Sequence, residues 1–361
     1  NTSLTADASI ATGAGAAAVV FNGTIDGGSN LTVSVGTGDA TLAGAVGKAT
    51  PLASLTVTAG NLAVDGGIVT TSGDQAYTTA MVLGADTTFT GNAGTFASGL
   101  NASGNDLTLN FAGVVTSLDG SFANIGNLTS IGDVALNGTI GTNGDQTYND
   151  KVTLAGDVTL TGNSAAFASS VSGGNHLFSI NFAGGTTALA GIDNVSTFTS
   201  DSDVSLAGNF STTLDQFYNA NVTLAGDSTL TGNAVSFASG VTGEANSLTL
   251  NFSGPTAIDG SFAGIANLTS LGAVTLSGNV STAGEQNYAG AATLTGDTVL
   301  TAQASSSVFV PNYAAPSLAG NLDTSGAAYG VTLASDGKYA FLADARSGLQ
   351  IMDVSDANAP T

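Results

Sequence analysis

Valine, leucine and isoleucine fall on every second position through most of the chain, with threonine or serine between them, as in Lys151-Val152-Thr153-Leu154 and Asp157-Val158-Thr159-Leu160-Thr161. A period of two sends apolar side chains to one side of an extended backbone and hydroxyls to the other, so the pattern predicts half-buried strands. The runs are four to six residues long and stop at Gly-Asp, Gly-Asn, Asp-Gly and Asn-Gly pairs, residue types that accept the positive φ a tight turn needs. Helical periodicity is absent almost everywhere, and the fold class expected is all-β.

The strands belong to an internal repeat of about seventy residues. Gly73-Asp74-Gln75-Ala76-Tyr77 returns as Gly144-Asp145-Gln146-Thr147-Tyr148, Leu214-Asp215-Gln216-Phe217-Tyr218 and Gly284-Glu285-Gln286-Asn287-Tyr288, with tyrosine spacings of 71, 70 and 70. Thr90-Gly91-Asn92 keeps the same phase as Thr161-Gly162-Asn163 and Thr231-Gly232-Asn233, then decays to Thr301-Ala302-Gln303. Phe21, Phe96, Phe167 and Phe237 align as well, which gives four units at 16–93, 94–164, 165–234 and 235–304. Residues 1–15 read as an N-terminal segment or a first coil.

Short strands on a repeating register can build sandwiches, propellers or solenoids. Sandwich domains carry a larger aromatic core, whereas aromatics here are 6%, tryptophan is missing, and the inward positions are valine, leucine, alanine and threonine. Small side chains suit the narrow core of a parallel β-helix, or β-solenoid, in which each coil buries its apolar residues on the coil beneath. Three coils of about 23 residues per unit would give about a dozen coils and a rod of roughly 60 Å. The Gln-x-Tyr motif reads as a structural corner, with the tyrosine packing and the glutamine bonding the turn.

The chain has 361 residues, 26 acidic and 4 basic, for a formal charge of −22. Phosphate neutralisation needs clustered cations, and Lys48, Lys151, Lys338 and Arg346 are the entire supply, so nucleic-acid partners are excluded. There is no cysteine and one histidine, which removes disulfides, thiolate metal sites and histidine-built zinc sites. No apolar run approaches the length of a transmembrane helix, and Asn1 follows no charged leader, so it reads as a mature or trimmed start. On the solenoid reading, Asp86, Asp157, Asp227 and Asp297 would stand on every third coil, about 14 Å apart and beyond the Debye length.

The phrases Val20-Phe21-Asn22-Gly23-Thr24-Ile25-Asp26-Gly27, Leu52-Ala53-Ser54-Leu55-Thr56-Val57-Thr58-Ala59-Gly60 and Gly144-Asp145-Gln146-Thr147-Tyr148-Asn149 resemble the strand repeats of filamentous-haemagglutinin-like and autotransporter-type bacterial adhesins. The resemblance spans residues 16–304 and implies an exported stalk or adhesin at the bacterial cell surface, often a β-helix. Composition shifts after residue 304, leaving a linker at 305–314. Tyr329-Gly330-Val331, Lys338-Tyr339-Ala340-Phe341-Leu342-Ala343-Asp344 and Gly348-Leu349-Gln350-Ile351-Met352-Asp353-Val354 then look like one LVIVD repeat, a unit of surface β-propellers, within 315–361. A propeller needs about 4–8 blades. A single blade-like segment implies either further sequence or a second chain against it, and Tyr339, Phe341, Leu349 and Ile351 are the candidate assembly interface.

Candidate chemistry is thin. His176 occupies a turn that sister units fill with Asn105-Asp106 and Asn246-Ser247, and Asp133/Asp203 and Asp119/Asp259 are repeat-related turn residues rather than a catalytic carboxylate pair. Calcium is the one cofactor the turns could hold, through Asp86, Asp157, Asp227 and Asp297, but no nonapeptide or EF-hand calcium motif is present. The expectation is a structural, non-enzymatic extracellular rod whose partners are its own copies, further domains of a longer chain, surface polysaccharide or a neighbouring cell's protein. The alternative is a calcium-dependent carbohydrate- or surface-binding module.

Overall fold

The computed structural model describes residues 1–13, 15–303, 327–345 and 347–356, and among these every regular element is a strand. The chain divides into two compact units, Asn1–Val308 and Phe309–Thr361. The first is a parallel β-solenoid of about 15 turns, roughly 70 Å of stacked coil at ~4.8 Å per turn.

Each coil contributes a strand to each of three faces, except that face A passes between Ile25–Asp26 and Ile68–Thr70 through a single bridging residue, Val46. Face A starts with Thr2–Ser3, face B with Ala8–Ala11 and face C with Val19–Phe21. The period of two does what it predicts: in Leu107–Phe111 the residues Leu107, Leu109 and Phe111 are buried while Thr108 and Asn110 face outward. Every strand pairs in parallel with the strand one coil later on its own face, so Leu107 lies over Leu128 and Thr108 over Thr129. Corners are turned without breaking the ladder where glycine permits it. Gly138, inside the long strand Val134–Thr142, has φ +102, and a Cβ there would collide with the carbonyl oxygen of Gly120.

The coils are shorter over most of the rod than the sequence division implies, and the repeat is not three of them. Coil length varies along the chain: Leu31 lies over Leu55 in the long coils near the start, and Thr187 over Val204 in the shortest. On face B, six steps lead from Ala76 through Thr95, Ser117, Ala135, Thr153 and Ser172 to Asp193. Five more lead from the adjoining Ile192 through Phe210, Leu230, Leu250 and Ser270 to Tyr288. Eleven coils therefore carry the chain from the first Gln-x-Tyr motif to the fourth. Three repeats fill eleven coils, and equivalent residues of successive repeats lie on different faces. Gln75 is on face B, Gln146 on A, Gln216 on C and Gln286 on B again. This overturns the expected stacking of Asp86, Asp157, Asp227 and Asp297 on every third coil. They stand at three different corners, and only Asp86 and Asp297 share one.

Three of the four aligned phenylalanines are equivalent. Phe96, Phe167 and Phe237 are buried and lie on the tyrosine one coil earlier, with centroids 5.1, 4.8 and 5.2 Å from Tyr77, Tyr148 and Tyr218. Each contributes roughly 1.5–3 kcal/mol by burial. Phe21 is different: it sits half-buried in the first coil, against Leu42, with no tyrosine before it.

The second unit contains an antiparallel sheet of Ala328–Leu333, Tyr339–Asp344 and Gly348–Asp353. The linker expected at 305–314 lies outside the described residues.

One turn repeats with two successive left-handed residues: Ser103-Gly104, Gly174-Asn175 and Glu244-Ala245. Alanine gains nothing from φ +63 and is strained there. Ala245→Gly is expected to raise stability by about 0.5–1 kcal/mol, read as a higher denaturant midpoint at unchanged slope.

Candidate functional site

The densest polar arrangement in the solenoid is the Gln-x-Tyr corner. Gln75 and Tyr77 are two apart on one strand, so both side chains point into the core. The Gln75 amide donates to the carbonyl of Val69 at 3.3 Å, to Thr71 Oγ1 at 3.2 Å and to the carbonyl of Thr90, one coil later, at 2.8 Å. Tyr77 donates its hydroxyl to Gln75 Oε1 at 2.8 Å. Gln146 and Gln216 repeat all four bonds, and Gln286 repeats them half-exposed. The Thr-Gly-Asn motif completes the corner: a Cβ on Gly162 would collide with Thr142 Oγ1 and press on the Phe182 ring, 3.3 Å away. Burial raises the phenols of Tyr77, Tyr148 and Tyr218 far above their ordinary range and pushes Tyr288 up to about 12. The fork fixes the turn and offers no group to a ligand.

The aspartates expected as calcium candidates bond backbone instead. Asp86 accepts the Asp106 N–H at 2.9 Å, Asp157 that of Leu177 at 3.0 Å, and Asp227 that of Ser247 at 2.7 Å. In each case the donor lies one coil on. The matching residue for Asp297 is Ser317, outside the described residues. His176 Nδ1 lies 3.8 Å from Asp157 Oδ1, both side chains at the surface. Among the described residues no three His, Asp or Glu side chains converge as a metal site.

The acidic corners also follow a pairing that the period-two alternation does not reveal. Asp74, Asp145 and Asp215 each accept the side-chain amide of an asparagine one coil later, Asn92, Asn163 and Asn233, at 2.7–2.8 Å. Asp119–Asn137, Asp201–Asn219 and Asp203–Asn221 use the same offset. The signal was present in the sequence as a recurrent Asp-to-Asn spacing of one coil. Two open corner grooves, of about 520 and 360 Å³, are the same feature in successive repeats, running from Phe111 to Asp150 and from Asn181 to Ala220. Their carboxylates are engaged as well: Asp150 accepts the Gly132 N–H at 2.9 Å, and Asp203 the Asn221 N–H at 3.0 Å.

In the C-terminal sheet, Phe341 pairs with Ile351, Ala343 with Leu349 and Tyr339 with Asp353. Tyr339, Phe341, Leu349 and Ile351 thus share one side of the sheet, with Leu349 66% and Ile351 62% exposed. On the other side lie Ala340, Leu342 and Asp344, all buried, and the Asp344 carboxylate has no hydrogen-bond partner among the described residues.

Residues 326–361 match the family model of the LVIVD repeat. No curated protein and no solved structure matches the chain.

Two outcomes are expected. Gln216→Ala strands the Tyr218 hydroxyl and removes the buried amide's bonds to the Phe210 and Thr231 carbonyls, and should cost about 3 kcal/mol in denaturant unfolding. Because folding raises the tyrosine pKa values, the neutral phenols stabilise the fold fully below the unfolded value of about 10, and that contribution is lost as pH rises past it. Alkaline titration should show Tyr77, Tyr148 and Tyr218 ionising together with the loss of strand circular dichroism, and ionisation with the strands intact would contradict their burial.

Proposed function

We propose that the protein is the rod of an extracellular bacterial surface structure, a stalk or filament segment rather than an enzyme. The observation that carries this reading is the fate of its polar side chains. The corner carboxylates described above and the buried glutamines bond the coil before or after them, and the buried tyrosines cap those glutamines, which leaves a stiff scaffold with no converging reactive groups among the described residues. The likeness of residues 16–304 to adhesin strand repeats supports an exported setting, and the acidic corners favour solubility there.

Contact with further copies is part of the same proposal. The last described coil, Ala292–Ala302, leaves Leu294 65% and Leu300 38% exposed, although Leu154 and Leu224, at the position of Leu294 in interior coils, and Leu160 and Leu230, at that of Leu300, are buried. Adding a strand from another copy would cover this edge by main-chain bonds, as each coil covers the one before it. Such a contact is head-to-tail and extends into a fibre. The C-terminal sheet offers a second contact through Tyr339, Phe341, Leu349 and Ile351.

Electron microscopy of the purified chain at rising concentration should show rods that lengthen end to end, and particles that stay single throughout would remove head-to-tail assembly. A chain lacking residues 306–361 separates the two contacts: loss of the fibres assigns the joint to the C-terminal sheet, and their persistence assigns it to the coil edge. Polysaccharide turnover abolished by a single Asp substitution would overturn the structural reading, and saturable calcium-dependent glycan binding would favour a binding module.

A further inference from the structure

The repeat and the coil are out of step, and the mismatch has a fixed value. Three repeats fill eleven coils, so one repeat fills three and two-thirds. The fork is nevertheless the same on every face: the bond from the glutamine amide to the threonine carbonyl one coil on is 2.8 Å on face B, 2.9 Å on A and 3.0 Å on C. The outward surface moves with it. Thr88, Thr108 and Thr129 form a hydroxyl ladder on face A, and its counterpart in the next repeat, Thr159, Ser179 and Thr199, lies on face C. The third, Thr229, Thr249 and Thr269, lies on face B.

We infer that the repeat is a phase module: the number of repeats between two points on the rod sets the angle between them as well as the distance. Adding or removing one repeat changes the length by about 18 Å at ~4.8 Å per coil and turns everything beyond it by one third of a revolution. The three faces are interchangeable because the contacts that choose a strand's neighbour belong to the repeat. Tyr148 needs Phe167 one coil later, and Gly162 needs Phe182, whichever face they occupy. This rests on the stalk reading for its use: such a stalk grows by whole repeats and aims what it carries in one of three directions. A rigid flat partner lying along one face meets the same patch once in eleven coils, about 53 Å.

The test compares two excisions in the full chain. Removing residues 147–216 joins Gln146 to Phe217 and deletes one repeat. Removing residues 146–203 joins Asp145 to Val204 and deletes three whole coils, which keeps every face aligned but breaks the repeat. The sequence has no cysteine, so spin labels can be placed in pairs, Thr95→Cys with Asn251→Cys and Thr95→Cys with Thr242→Cys. In the parent chain positions 95 and 251 share face B and position 242 is on face A. The repeat excision should melt cooperatively, like the parent, with positions 95 and 242 on one face and 251 moved off it, and the three-coil excision should melt at a lower temperature. Label distances that keep 95 and 251 on one face after repeat excision would overturn the inference. So would a more stable three-coil excision, or failure of both variants to fold. These distances report the winding alone, while micrographs and turnover assays decide the stalk reading separately.

Discussion

In a parallel in-register coil every residue lies about 4.8 Å from one residue of the coil before and one of the coil after, so each side chain must be acceptable as its neighbour's neighbour. Apolar residues and threonine meet this condition readily, and they fill the inner and outer sides of the faces. Charge does not meet it, because two carboxylates stacked at that spacing repel at short range and in a ladder the repulsion accumulates. The chain carries −22 under this constraint by placing an asparagine one coil after many of its corner aspartates. Asp145 illustrates the result: the Asn163 amide and then the Ser164 hydroxyl hold its carboxyl below the usual carboxylate range, and the next step of the ladder is neutral.

The same condition explains why a buried glutamine recurs at the centre of each repeat. A period-two strand with small side chains can slip by two residues without exposing an apolar group, so hydrophobic burial alone leaves the register loose. An amide in the core cannot slip without stranding several bonds at once. Gln146 ties the carbonyl of Ile140 in its own coil to that of Thr161 in the next, and Tyr148 caps its free oxygen. The fork therefore fixes the register between consecutive coils once per repeat, and the stacked phenylalanine extends that lock one coil further. Between forks, corner glycines such as Gly99 and Gly138 hold the alignment sterically, since neither position leaves room for a Cβ.

The strand class, the parallel solenoid and the repeat of about seventy residues were legible because they depend on one-dimensional regularities: period two, turn pairs and recurring motifs. The number of coils was not. A repeat length divides naturally into whole coils on paper, and nothing in the alternation marks which turns are corners of the same edge. Long strands such as Thr116–Ile125 pass round a corner with no interruption in sequence, so counting breaks undercounts faces. Phe21 shows the related error. It aligns by spacing with Phe96 but lies among the longer coils at the start of the rod, where the Gln-x-Tyr partner that defines the position does not occur. The C-terminal residues Tyr339, Phe341, Leu349 and Ile351 fell on one side of a sheet as alternation required, because an antiparallel register with a tight turn leaves little freedom.

That small sheet poses in a second form the problem the coils solve. Its strands are apolar on both sides: Val331 and Leu333 are exposed on one, Leu349 and Ile351 on the other. A sheet with one apolar face is satisfied by one covering layer, but a sheet with two is a slice from the middle of a stack. On the side of Val331 and Leu333, Ala340, Leu342 and Asp344 are already buried, and the Asp344 carboxylate finds no hydrogen-bond donor in the three strands. A coil is incomplete along its strand edges and is completed by backbone hydrogen bonds to its like. The C-terminal sheet leaves Tyr339, Leu349 and Ile351 exposed on one face, where cover would come from side-chain burial and not from a backbone ladder. Edge contacts impose a register and an angle, as the eleven-coil winding shows, whereas face contacts tolerate sliding. A chain combining both would keep geometric exactness in the rod and leave adaptability to the sheet.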